Sequence, residues 1–137
     1  MSQEWQAASI ARQPGPTMTL EQGDAQGVRV VQVAGELDMS NVGALRDATS
    51  ALPNDALGIV VDLRGASFID SATIGLLYEL HSALGRRRQA LRVLCAAGST
   101  PRRVLEMMSF DGDSLSDQDT ESAIAAIRAA VSPHEPG

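Results

Sequence analysis

Two adjacent residues, Asp70 and Ser71, sit where this chain could work through a hydroxyl. They follow the apolar run Leu57–Leu63 and a short polar stretch. After them, Ile74, Leu77, Leu80, His81 and Leu84 recur at the three- and four-residue steps of a helix. A short polar residue at such a start acts as an N-cap, satisfying amides that the first turn leaves without partners. The same geometry exposes a hydroxyl beside free N–H groups, where amides and helix dipole would hold a phosphate. The residues by themselves leave both readings open.

Enzymatic chemistry is thinly supplied. The histidines are His81 and His134. His81 falls on the apolar side of its helix, where a packed ring is more common than a base, and a base needs a positioned partner. His134 lies in a proline-bearing tail. Cys95 sits among apolar residues and reads as a small core side chain. Met107 and Met108 read as core filler. There is no Ser/His/Asp pattern, metal-ligand spacing or glycine-rich phosphate loop. Asp62, near the end of a buried strand, is similar in place to the phosphorylated Asp of a receiver domain. Receivers set a Lys beside that Asp, and all 11 basic residues here are Arg. Arg86-Arg87-Arg88 follows a helix end, where cations complement the dipole and stay solvated. No catalytic residue, metal site or cofactor is therefore expected.

The elements that must position Asp70 and Ser71 follow from periodicity. Thr17–Gln22 and Val28–Ala34 read as strands joined in a hairpin, with Gly23, Asp24 and Gly27 as turn residues. Ser40 reads as the cap of a helix with Val42, Leu45, Ala48 and Leu52 on one face, stopped by Pro53. Leu57–Leu63 reads as a strand covered on both faces, as in a parallel sheet. Arg64–Ile69 reads as a loop. The helix after Ser71 ends near Gly85. Leu91–Ala97 is another buried strand. Thr100 reads as a cap and Pro101 as the first position of a short helix with Val104, Leu105 and Met108 on its apolar side. Phe110–Gln118 is acidic and turn-rich, with room for a short edge strand. Asp119 or Thr120 caps a last helix bearing Ala123, Ile124, Ile127 and Val131. Repeated strand–helix units predict an α/β single domain with a mixed, mostly parallel sheet of roughly four or five strands and about four helices.

A chain of 137 residues is the size of one domain, long enough to bury a core. The expected domain covers residues 17–131, between a flexible leader at 1–16 and a flexible tail at 132–137. The leader lacks the apolar run of a signal peptide, and no stretch approaches a membrane span. A net charge of −6 argues against a nucleic-acid partner, which needs a basic surface. One cysteine allows no disulfide within the chain and fits a reducing compartment.

Three segments resemble one known family. Phe68-Ile-Asp-Ser-Ala-Thr-Ile-Gly75 is similar to the STAS signature, an apolar residue and then Asp-Ser-Ser-Gly-Leu-Gly at a helix start. Ala34-Gly-Glu-Leu-Asp38 resembles the family's Gly-Glu-Leu-Asp turn, and Gly98-Ser-Thr-Pro101 its loop opening a short helix. The resemblance covers residues 17–131 and extends to the element order. It implies an anti-sigma factor antagonist: a cytoplasmic bacterial protein, not an enzyme, that needs no cofactor. Such a protein binds an anti-sigma factor that is also a serine kinase. Phosphorylation of Ser71, with Thr73 as second choice, would end binding, and a phosphatase would restore it. The partner-binding residues implied are Asp38, Met39, Asp70, Ser71, Ala72, Thr73, Ser99 and Thr100. Ala72 stands for the family's second Ser and Thr73 for its usual Gly; the branched Thr73 is expected to add bulk where a kinase approaches. The alternative is a STAS domain used without phosphorylation, as a scaffold or accessory subunit of a transporter or signalling complex. No membrane contact is implied.

Overall fold

Two residues reverse the chain between the first two strands of the described residues. In the computed structural model, which describes residues 18–131, strands β1 (Met18–Ala25) and β2 (Val28–Leu37) run antiparallel with Ala25 opposite Val28. Gln26 and Gly27 have φ of 55° and 84°, the left-handed pair that a two-residue hairpin requires. Gly23 and Asp24, expected in the turn, are paired strand residues instead. The expected leader and tail lie outside the described residues.

Beyond the hairpin every strand is parallel to its neighbour. The chain continues through α1 (Val42–Thr49), β3 (Gly58–Ile69), α2 (Ser71–Arg86), β4 (Ala90–Leu94), α3 (Thr100–Met107), β5 (Leu115–Ser116) and α4 (Thr120–Val131). The five strands lie in the sheet in sequence order. This is the expected α/β architecture, a mixed and mostly parallel sheet with four helices.

Several boundaries differ from expectation. Arg64–Ile69 is strand, not loop: Gly65, Ala66, Phe68 and Ile69 pair with Ala34, Gly35, Glu36 and Leu37. Two register shifts interrupt that pairing, and Gly35 takes φ 98° beside one of them. Such bulges break the alternation that marks a strand in sequence. Cys95, Ala96 and Ala97 fall after β4, not within it. α1 ends at Thr49, so Leu52 is buried from the following loop. Asn41, not Ser40, precedes α1, and Ser99, not Thr100, caps α3 by accepting from the Arg102 amide.

The near-continuous apolar run of β3 divides between two cores. Ile59, Val61 and Leu63 face Leu45 of α1, Leu77 of α2 and Leu105 of α3. Val60 points the other way and joins Val28, Val30 and Leu94 against Ala123, Ile124 and Ile127 of α4. Each such side chain contributes about 1.5–3 kcal/mol by leaving water. Met107 and Met108 correct the core-filler reading, with 81% and 53% of their surface exposed. They lie at the end of α3, where no element among the described residues covers them. No helix among the described residues is long and apolar enough to cross a membrane.

Sequential strand order means the sheet never reverses its winding direction. Open α/β sheets place ligand crevices where that reversal occurs. Here the carboxyl ends of β2 and β3 stand side by side, and the turns that leave them share one edge of the sheet.

Candidate functional site

Leu37 and Ile69 are the last paired residues of β2 and β3. The chain leaves them through Asp38–Asn41 and Asp70–Ser71, so residues far apart in sequence meet. Asp70 is the N-cap of α2, with extended backbone and a carboxylate Oδ1 that accepts from the Thr73 amide at 3.1 Å. Its Oδ2 accepts from the Met39 amide at 3.0 Å, which ties the two turns together.

Ser71 is the first residue of α2 and is exposed. Its amide belongs to the first turn, where N–H groups point out of the helix. Gly75, one turn on along the same face, leaves open space: a side-chain carbon there would meet nothing within 4 Å. Tyr78 continues that exposed face and donates its hydroxyl proton to the Met108 carbonyl at the end of α3. The Ser71 hydroxyl thus stands on accessible surface beside amides suited to an anion.

Thr73 corrects an expectation. Its side chain is 0% exposed and turned inward, so it neither crowds an approaching enzyme nor presents its hydroxyl. That hydroxyl lies 3.2 Å from Asp70 Oδ1 and 3.5 Å from the Leu37 carbonyl. Ala72 is half-buried.

Asp38 is engaged within its own turn. Its Oδ1 accepts from the Ser40 hydroxyl at 2.6 Å and the Ser40 amide at 2.9 Å. The Ser40 hydroxyl, and then its amide, hold the Asp38 carboxyl below the ordinary value. Asn41, which sequence reasoning did not single out, is 9% exposed and braces the same turn. Its Oδ1 accepts from the Asp38 amide and its Nδ2 donates to the Glu36 carbonyl, both at 2.9 Å. Asp-Met-Ser-Asn carried the signal, since Asp, Ser and Asn bond their own backbone in turns. Met39 projects from this braced turn with 76% of its surface exposed. Phe68, also not singled out, is 44% exposed on β3 nearby in sequence to the cap.

Ser99 and Thr100 open α3, beyond the end of β4 at Leu94. Among the described residues no hydrogen bond joins Ser99 or Thr100 to the Asp38–Asp70 cluster; Ser99 instead caps Arg102 at 3.3 Å.

Other titratable groups do not converge on Ser71. His81 is half-exposed, with its ring packed edge-on against Phe110 and Nε2 3.1 Å from Asp111 Oδ2. Burial pushes the Cys95 thiol up to about 12. No group of three His, Cys, Asp or Glu suited to a metal ion occurs among the described residues. The edge offers an exposed hydroxyl, a rigid turn and exposed apolar side chains, an arrangement for contacting another protein.

The chain is similar to several known proteins. The anti-sigma-F factor antagonist RsfB of Mycobacterium tuberculosis is 28% identical over 97 residues, 69% of this chain and 77% of that protein. The crystal structure of an anti-sigma factor antagonist from Mycobacterium paratuberculosis superposes with a TM-score of 0.71 at 29% identity, covering 82% of this chain and 95% of that one. The Bacillus cell fate determinant SpoIIAA in its phosphorylated form shares the fold, with a TM-score of 0.63 at 23% identity over 80% of this chain and 99% of that one. The family described as "Mlab, STAS domain" matches residues 20–117, more than half of the chain and every element from β1 to β5. With its fold, signature segment and family match in agreement, the chain belongs to the STAS domain family.

Proposed function

We propose that this protein is an anti-sigma factor antagonist that binds its anti-sigma factor through the Asp38–Asp70 edge and is released by phosphorylation of Ser71. The observation that carries this reading is the exposed Ser71 hydroxyl at the first residue of α2, beside the half-buried Asp70 cap. The similarity to anti-sigma factor antagonists supports the partner class. The partner is read as a serine kinase as well, with a phosphatase to reset the cycle.

The electrostatics suit a switch. A phosphate on Ser71 adds about −1.5 to −2 charges. Each unit of that charge, at ~5 Å from a partner carboxylate and an effective dielectric near ~20, would meet about 3 kcal/mol of repulsion. That is over a hundredfold in affinity, at roughly 1.4 kcal/mol per tenfold. The α2 N-terminus favours the added anion, so the fold tolerates it. Release is therefore a local charge and contact effect.

The test is incubation with ATP and the cognate kinase, followed by intact-mass and peptide analysis. One phosphate on Ser71, with loss of the complex, is the expected result. Partner binding without any phosphate gain would favour a STAS domain used as a scaffold or accessory subunit.

A further inference from the structure

The Asp70 carboxylate serves two elements at once, and the buried Thr73 hydroxyl decides how. A capping Asp needs one oxygen for the amide it satisfies. The terminal torsion of its side chain is broad, so that contact by itself leaves the second oxygen free to swing. Here Oδ1 receives both the Thr73 amide at 3.1 Å and the Thr73 hydroxyl at 3.2 Å. Two donors from one residue set the carboxylate plane and direct Oδ2 at the Met39 amide, 3.0 Å away. Thr73 is 0% exposed, so water does not take the place of its hydroxyl. Residues 38–41 are otherwise braced from within their own turn and by the Glu36 carbonyl. Among the described residues, the Met39 amide makes the one hydrogen bond from that turn to the α2 cap.

We propose that Thr73 and Asp70 are positioning residues: the Thr73 hydroxyl orients the Asp70 carboxylate, which holds the Met39 amide and so fixes the exposed Met39 side chain for the partner. The inference rests on the partner-binding reading only for what Met39 meets; the clasp itself does not depend on it.

The experiment is amide hydrogen exchange on the full chain without partner. Thr73→Val keeps the branched shape and removes the hydroxyl; Thr73→Ser keeps the hydroxyl. Thr73→Val should speed exchange at Met39 roughly tenfold, the worth of one hydrogen bond. The Val61 core amide and the Ser40 amide held by Asp38 should stay near wild type. Thr73→Ser should restore Met39 protection, and Asp70→Asn, with one acceptor oxygen, should lose it. Unchanged Met39 exchange in Thr73→Val, or a rise matched at Val61, would overturn the proposal. A second readout is affinity for the anti-sigma factor, expected to fall in Thr73→Val and recover in Thr73→Ser. If the wild-type protein binds no anti-sigma factor, the functional reading fails while the exchange result still judges the clasp.

Discussion

Arg64 grips both oxygens of Asp62, with Nε 2.9 Å from Oδ1 and Nη2 2.8 Å from Oδ2. Asp62 is 5% exposed, and the same guanidinium reaches the Thr120 hydroxyl at the start of α4. An acid at this strand position is thus a structural tie between β3 and α4, not an accessible acceptor. Arg64→Ala should cost about 2 kcal/mol, because it removes both guanidinium contacts and leaves the buried carboxylate only the backbone amide at position 64 and the Gln32 side chain. The figure sits below that of a fully buried pair because the Arg64 side chain is 36% exposed. Urea unfolding measures it, and an unchanged midpoint would refute the tie. Arg64→Lys should recover part of the loss, since a single ammonium cannot reproduce the two-pronged contact.

Ser71→Ala should fold like wild type, within about 0.5 kcal/mol, because the capping group belongs to Asp70. It should also hold the partner in the presence of ATP and kinase. Ser71→Asp should weaken the complex by roughly tenfold or more, less than a phosphate because it carries less charge. Titration calorimetry against the anti-sigma factor reads both. Equal affinity of the Asp variant and wild type would contradict the charge mechanism.

Cys95 is fully buried, and loss of solvation raises its thiol pKa to about 12. The reactive thiolate is scarce at neutral pH and shielded by the fold. An alkylating reagent at pH 8 should leave native protein unmodified and label it completely in denaturant. Labelling of native protein at the denatured rate would show that the thiol is not enclosed.

Three carboxyls bind their protons less tightly in the folded protein than their ordinary 3.8: Asp38 through the Ser40 hydroxyl, Asp111 through Ser114 and Asp119 through the Ser122 amide. A depressed folded pKa gives stability that is complete above the unfolded value and lost as pH falls through the folded one. The urea midpoint should be level from pH 7 to about pH 5 and fall below roughly pH 4. Asp119→Asn should make the fall shallower while keeping the α4 cap. A midpoint that rises on acidification would reverse the sign and reject the assignment.

The amino-acid sequence determined the local physics of this protein. Val-rich runs became strands, Asp70 became a cap because short acceptors satisfy first-turn amides, and an unbroken apolar run became a strand with a core on each face. The Asp70-Ser71 pair was legible for the same reason: a cap and the residue after it are fixed by neighbours in the chain. The tertiary structure decided whatever depends on distant partners. Arg64–Ile69 became strand because bulged pairing with β2 outweighs its mixed polarity. Met107 and Met108 stayed exposed because no element among the described residues packs over the end of α3, and apolar character does not say what lies opposite. Thr73 turned inward because the end of β2 closes over the first turn of α2, and Met39 and Asp70 met across 31 residues for the same reason. Sequence spacing encodes the face a residue occupies; only the folded sheet fixes which strand end stands opposite it.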